Sequence, residues 1–427
     1  MKICTISYHS CPYSMLGEDD TGGMSVYLRE ISRALADLPG AEIDLFTRVQ
    51  DPHLLGPKQV SPRIRIIHLK AGPERPVDRK RPYDFLPEFT TNLDRFVLRE
   101  NKGYDIIHSH YWLSGLAGEW LKYRLGIPLV HTYHTLALSK TRVTGEKEHP
   151  CRGRSERHLA HVADAVISLS PVEKKSLIDE FQIPGDKVRV IDPGVNSGLF
   201  YPTNGSSFPQ DMSRREEEKL LLYVGRIDPV KGLSTLIEAL AFLKKSGFFE
   251  QEKLKLIVIG GGGRPQDLIQ KNEYKKVFQS IKQSGLSDDV RFLGSREQED
   301  LRDYYSAADA LVVPSLYESF GLVVLEALAC GTPVIASNVG RMNTMIKEGK
   351  NGLVFTPGDS KELAGRIRRF YGTRPDFWSR DAVREDVVGK FCWENAAEKA
   401  YGLFRDLAGR RPAVTTILPP GESPRPA

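Results

Sequence analysis

Two glutamates eight residues apart, Glu318 and Glu326, bracket the start of an apolar helix expected over residues 320–330. A buried-strand segment, Ala310-Leu311-Val312-Val313, precedes it, and another, Pro333-Val334-Ile335-Ala336, follows Gly331, which closes the helix. In such a unit the helix begins at the carboxyl end of a strand. The N–H groups near Phe320, Gly321 and Leu322 then face the crevice where open α/β sheets bind ligands, and they attract phosphate. An anion site with an acceptor carboxylate on either side suits a molecule with phosphates at its centre and hydroxyls at both ends. A nucleotide-sugar is such a molecule.

The preceding residues add cations. A strand over residues 220–226 ends in Gly225-Arg226, and Lys231 follows five residues later at a helix start. Both can reach a diphosphate in the crevice. The strand 254–259 runs into Gly260-Gly261-Gly262-Gly263-Arg264. This glycine turn permits phosphate approach at Gly262 but lacks the G-x-G-x-x-G spacing of an NAD site. The short strand 290–294 offers backbone at Leu293 that could read a nucleobase edge. Gly22-Gly23 opens a helix nearer the N-terminus, exposing further N–H groups, with Ser25 two residues on.

A second cluster lies between residues 104 and 154. One strand ends in His108-Ser109-His110-Tyr111 and the next in His131-Thr132-Tyr133-His134-Thr135, with His149 further on. Polar residues at successive tips of a parallel sheet converge on one crevice. No HExxH or CxxC accompanies the histidines, so catalysis or acceptor binding is expected of them rather than metal ligation. Lys70, Arg75, Arg79, Lys80 and Arg81 form a proline-punctuated charge run, read either as a solvated loop or as a rim for a phosphorylated acceptor. Glu18-Asp19-Asp20 reads as a solvated loop, and the chain holds no D-x-D triplet.

At 427 residues, with 40% hydrophobic and 27% charged content, the chain has room for two ordinary globular domains. A net charge of +5 is too mild to imply nucleic acid. No apolar run approaches 18 residues, so no membrane span is expected, although peripheral contact stays open. Met1 runs straight into a strand, leaving no room for a signal peptide, and five scattered cysteines suggest no disulfide framework or zinc site. The expected location is cytoplasmic. Two strand–helix alternations give an α/β protein of two facing, doubly wound Rossmann-like domains. We place an N-terminal domain at 1–193, a linker at 194–218 and a second domain at 219–375. Closing helices follow at 376–408 and a disordered, proline-rich tail at 409–427.

The segments G-G-M-x-V-Y, H-S-H-Y-W-L-S-G, G-R-x-x-x-x-K and P-S-x-x-E-S-F-G-L-x-x-L-E together resemble family 4 of the retaining glycosyltransferases, with its GT-B fold. Within it the chain is most similar to the D-inositol-3-phosphate glycosyltransferase and sucrose-phosphate synthase group. The resemblance implies a hexosyltransferase that moves sugar from a nucleotide-sugar, UDP-glucose or UDP-GlcNAc, to a small polyol or sugar acceptor. The donor diphosphate would be held by Arg226, Lys231 and the helix start at Phe320–Leu322, without a metal or other cofactor. Gly22, Gly23, Gly225, Gly262 and Leu293 would complete the donor site. Glu326 would take the ribose hydroxyls and Glu318 those of the transferred sugar, while His134 would donate to sugar or phosphate. Ser25, Lys80, Tyr111, His134, Thr135, Arg152 and Arg154 would form the acceptor side, with Arg152 the foremost phosphate ligand, unless the cations Lys80, Arg152 and Arg154 solvate their loop or pair with Glu146, Glu148 and Glu156. The alternatives are sucrose-phosphate or sucrose synthase-like chemistry, transfer to a glycolipid or polysaccharide precursor, a sugar-nucleotide-binding protein, and a sugar-nucleotide epimerase. The expected state is a monomer or homodimer.

Overall fold

The computed structural model describes residues 1–13, 22–77, 81–145, 147–203, 209–212, 217–261, 272–372 and 379–410. Two parallel sheets carry the fold. The first contains β1 (Lys2–Ile6), β2 (Glu42–Arg48), β3 (Gly56–Ser61), β4 (Ile64–Leu69), β5 (Ile106–His110), β6 (Leu129–Thr132), β7 (Ala165–Ser168) and β8 (Val188–Val190). Its spatial order is β3-β4-β2-β1-β5-β6-β7-β8, parallel throughout except for β3 against β4. The second contains β9 (Lys219–Val224), β10 (Leu254–Ile259), β11 (Val290–Gly294), β12 (Ala310–Val313), β13 (Val334–Ser337) and β14 (Gly352–Phe355), in the order β11-β10-β9-β12-β13-β14.

The inner strands form where the sequence is apolar on both faces, because helices cover both sides of a parallel sheet. β5, β12 and β13 are buried at every position. Strand order fixes where ligands can sit. In the first sheet the chain steps outward from β1 to β2 and then restarts on the other side at β5. In the second, β9 is flanked by β10 and β12 in the same way. The crevice opens at the carboxyl ends of the strands beside each reversal. The tips bordering these points are those of β1 and β5 in one sheet and of β9 and β12 in the other.

The helix Trp393–Ala408 packs on the helix Gly23–Asp37 and on β5, so the last described helix of the chain lies on the first sheet. Trp393 meets Tyr27 edge-on at 5.5 Å, and Phe404 meets His108 at 5.2 Å. Val195 donates its N–H to Phe391 O at 2.9 Å, tying the two chain crossings between the halves. One buried apolar cluster runs through both halves by way of Phe391, Trp393 and Phe404. Among the described residues, no helix is long and apolar enough to cross a membrane.

Candidate active site

After β9 the chain turns through Gly225 and Arg226, whose carbonyl accepts from the Tyr223 hydroxyl at 2.9 Å. Asp228 caps the short helix Pro229–Lys231 by accepting from Val230 N–H at 3.0 Å. Gly232 ends that turn at φ +67°, where any Cβ would stand 2.0 Å from Pro314 O. Only glycine lets the Lys231 turn lie against the β12 tip. Lys231 Nζ consequently lies 2.5 Å from Glu318 Oε2, an oxygen that also accepts from Ser315 Oγ at 3.3 Å. Arg226 is looser. Its guanidinium is 3.8 Å from Asp228 and its side chain is 39% exposed. The two expected diphosphate cations therefore stand at adjacent strand tips, one of them already beside Glu318.

The central helix is shorter than the sequence suggests. It spans Leu322–Ala329, with Phe320 and Gly321 ahead of it and Gly321 as a left-handed N-cap at φ +97°. The first-turn N–H groups of Leu322 and Val323 lack helical acceptors by geometry, which makes them the helix's candidate phosphate donors. Gly340, at φ +55°, lets the Glu318 loop close over it, since a Cβ there would meet Glu318 O at 2.1 Å. Glu326 is 5% exposed. Its Oε1 accepts from Gln298 Nε2 and its Oε2 from the Tyr305 hydroxyl, both at 2.8 Å. Burial pushes this carboxyl above its usual range. A carboxylate has about four acceptor lobes, so each oxygen keeps one for a further donor. Leu293, on the β11 tip, has its carbonyl taken by Arg296 Nη1 at 2.7 Å. Gly262 lies outside the described residues.

The helix Gly23–Asp37 presents its N-terminus to the same place from the other half. A Cβ built on Gly23 would lie 3.9 Å from Leu322 Cδ1, so the two helix starts face each other. Gly22 is the extended N-cap. Ser25 is fully buried and bonded to Ser10 Oγ at 2.7 Å, so it sits behind this surface rather than on it.

The histidines form one buried group. His134 Nε2 and His110 Nδ1 are 3.0 Å apart, and the His108 and His110 rings are centred 4.0 Å apart. His108 Nε2 bonds Thr132 Oγ1 at 3.0 Å, and His131 Nδ1 bonds Ser109 Oγ at 2.8 Å. Burial lowers His108, His131 and His134 to about 3 and drives His110 well below its ordinary value. His134 is neutral near pH 7 and can donate one N–H, not a charge. Of the five non-glycine residues at positive φ among those described, Asn101, Gln182 and Lys253 end helices. The other two are Tyr111 (φ +73°) and His134 (φ +64°), at neighbouring strand tips. Backbone held there costs about 1–3 kcal/mol and persists where the surroundings enforce it, which marks these tips as candidate functional positions.

Arg152 is the main departure from the sequence-based expectation. It is 3% exposed, with Nε on Glu156 at 2.7 Å and Nη1 on Glu148 at 2.8 Å. Its Nη2 bonds both Thr135 O (3.0 Å) and Thr135 Oγ1 (2.9 Å), and the guanidinium lies 4.8 Å over the Tyr111 ring. Two carboxylates four residues to either side hold it in the interior, so it is not an open cation. Arg154, two residues on in the same helix, is exposed. Lys80 lies outside the described residues, as do Glu18-Asp19-Asp20. No group of three or more His, Cys, Asp or Glu among the described residues is arranged to hold a metal.

Contacts across the cleft involve residues that the sequence did not single out. The Ser319 hydroxyl donates to His134 O, and Leu136 N–H donates to the Tyr317 hydroxyl at 3.3 Å. Arg341 Nη2 bonds Asp192 Oδ2 at 2.8 Å beside the chain crossing. Tyr317 and Ser319 lie inside the motif around Glu318, but nothing in their spacing tells which half they touch.

Residues 21–198 match the description "Glycosyltransferase Family 4", and residues 207–376 match "Glycosyl transferases group 1". The D-inositol 3-phosphate glycosyltransferase of Streptosporangium roseum is 35% identical over 410 residues, covering 94% of this chain and 92% of that one. The chain belongs to glycosyltransferase family 4. The corresponding transferase of Acidothermus cellulolyticus is 33% identical, over 98% of this chain and 93% of its own. Among solved structures, the sucrose-phosphate synthase of Thermosynechococcus elongatus superposes with a TM-score of 0.85 at 34% identity, covering 96% of this chain and 99% of that one. The Anabaena HepE protein, solved with UDP and glucose, shares the fold at a TM-score of 0.73 and 20% identity, over 95% of this chain and 100% of that one. This glycosyltransferase thus has the GT-B architecture, with its two reversal points facing one cleft.

Proposed function

We propose that the enzyme transfers a hexosyl group, with retention, from UDP-glucose or UDP-N-acetylglucosamine to a small phosphorylated polyol or sugar. The donor half rests on one observation. Lys231 reaches Glu318 beside Gly321, the helix starts at Gly23 and Leu322 face each other, and Arg226 stands near Asp228, the cap of the Lys231 turn, which supports a diphosphate site with charge and N–H groups from both halves. In the reaction the bond from C1 to the β-phosphate oxygen breaks, and a new bond forms from the acceptor oxygen to C1 on the same face. The acceptor proton passes to the departing phosphate. Negative charge builds on that phosphate, and the fixed donors around it stabilise the charge without reorganising. Glu318, released from Lys231 by the phosphate, accepts from the sugar hydroxyls. His134 donates its N–H, Glu326 holds the ribose, and Leu293 lies beside the base.

The acceptor side is narrower than the sequence alone suggests. The named relatives act on, or are named for, phosphorylated compounds, which favours a phosphate on the acceptor. With Arg152 buried, we assign the phosphate contact to Arg154, the exposed arginine of the same helix, whose charge reaches Tyr83. Arg154→Ala is expected to raise KM for a phosphorylated acceptor about tenfold, the lower end of a charge-assisted hydrogen bond, with donor KM unchanged. Equal KM values for variant and parent would remove Arg154 from the site.

The deciding assay follows UDP release from UDP-glucose and UDP-N-acetylglucosamine in excess EDTA. Inositol 3-phosphate, a hexose 6-phosphate and their unphosphorylated parents serve as acceptors. Release that rises only with a phosphorylated acceptor is expected. The hexose phosphate arm tests the sucrose-phosphate synthase-like reading, which the 0.85 TM-score favours. An intact donor in every arm, or activity lost to EDTA and restored by magnesium, would refute the proposal.

A further inference from the structure

Glu326 belongs to the C-terminal half, yet its hydrogen-bond chain ends in the other half. Gln298, 3% exposed at the start of the helix Gln298–Ala307, donates from Nε2 to Glu326 Oε1 at 2.8 Å. Its amide oxygen accepts from Arg29 Nη2, on the helix Gly23–Asp37. Arg29 is held in turn by Glu30, with Nε 3.3 Å from Oε1, and the same oxygen lies 3.3 Å from Arg33 Nη1. Glu30 is itself 7% exposed, so the group is set into the interface between the halves.

A side-chain amide has one accepting and one donating end. With Arg29 on the oxygen, the NH₂ must point at Glu326. Without it, the amide can turn, and its oxygen would then oppose a carboxylate. The Arg29 charge also favours the ionised form of Glu326, against the burial that disfavours it and against Glu30. Gln298 begins its helix four residues after Gly294, at the end of β11, which places the relay next to the nucleoside end of the proposed donor site.

We propose that Arg29 is a positioning residue that sets, through Gln298, the carboxylate taking the ribose hydroxyls, so that the nucleotide grip is complete only when the two halves are closed. This rests on the role given to Glu326 above. An open enzyme admits the donor and lets the nucleoside diphosphate leave. A closed one holds it by a carboxylate whose free lobes are aimed.

Calorimetric titration of the full chain with UDP and with 2′,3′-dideoxy-UDP tests this, because only UDP presents the two hydroxyls. The parent enzyme should bind UDP roughly 10- to 100-fold more tightly, the range of one charge-assisted hydrogen bond or more. Arg29→Met should bring the two ligands to within about threefold of each other, leave dideoxy-UDP affinity unchanged, and be partly rescued in Arg29→Lys. Gln298→Met should give the same flattening. Arg29→Met that keeps the parental preference overturns the relay. So does a variant that loses both ligands equally, since that is a structural defect. Glu326→Gln separates the two levels. If it keeps full discrimination, the ribose role of Glu326 fails and the relay with it. If it alone loses discrimination, the relay fails and the role of Glu326 stands.

Discussion

Lys231→Ala should lower kcat/KM by about 10²- to 10³-fold, the usual cost of removing one donor from a developing oxyanion. Two effects act in the same direction. The ammonium is lost from the diphosphate, and Glu318, whose side chain is only 16% exposed, loses the cation 2.5 Å away. An uncompensated carboxylate then faces the phosphates. Arg226 cannot take over, because it is already one of the two cations assigned to the diphosphate. The fold should survive, since Lys231 ends a three-residue turn and its Nζ is only part-buried. Kinetics of Lys231→Ala beside Lys231→Ala/Glu318→Gln separate the two effects. Glu318→Gln alone gives the cost of losing the sugar-hydroxyl acceptor, and recovery of donor KM in the double variant beyond additivity measures the repulsion. Parental turnover by a folded Lys231→Ala enzyme would remove Lys231 from the mechanism.

How far the sequence carried the structure depends on what each element owes to its own residues. β12 and β13 lie where their apolar runs place them, because strands buried on both faces leave an uninterrupted pattern. β3 left no such trace. It is an edge strand reading Gly-Pro-Lys-Gln-Val-Ser, exposed along most of its length, with the proline and lysine that edges carry. The glutamate pair and the cations at the β9 tip were legible because motif and sheet topology act together there. Arg152 was legible only as a choice between a phosphate ligand and a partner of nearby glutamates, because a cation in sequence does not say which anion reaches it. Glu148 and Glu156, each four residues away, were the available signal, and they favour the buried pair. The left-handed backbone at His134 and the relay from Arg29 depend on contacts across more than 180 residues, and no local spacing records them.

Acid should unfold this enzyme earlier than its carboxylates alone would suggest. His108, His110, His131 and His134 are all buried, and burial is the first cause of lowering in each, with neighbouring imidazoles adding to it. His68, also buried, is lowered to about 4. In the unfolded chain each would titrate near 6.5. Between about pH 6.5 and 3 the unfolded state therefore binds more protons than the folded one, so stability rises with pH across this window. The contribution is complete above about pH 6.5 and is lost progressively as the pH falls towards 3. Each histidine can add up to about 1.4 kcal/mol per pH unit, and buried Glu173, raised to about 7, works against them, so the cluster steepens the acid limb by less than the sum of its members. Unfolding followed from pH 7.5 to 4.5 should show this steep loss below pH 6.5, and His131→Phe should reduce the slope by about one proton. A free energy of unfolding flat between pH 7 and 5 would mean that the imidazoles are not held neutral. Because the folded enzyme keeps these rings neutral down to about pH 3, activity should fall over the same acid range only as the folded fraction falls.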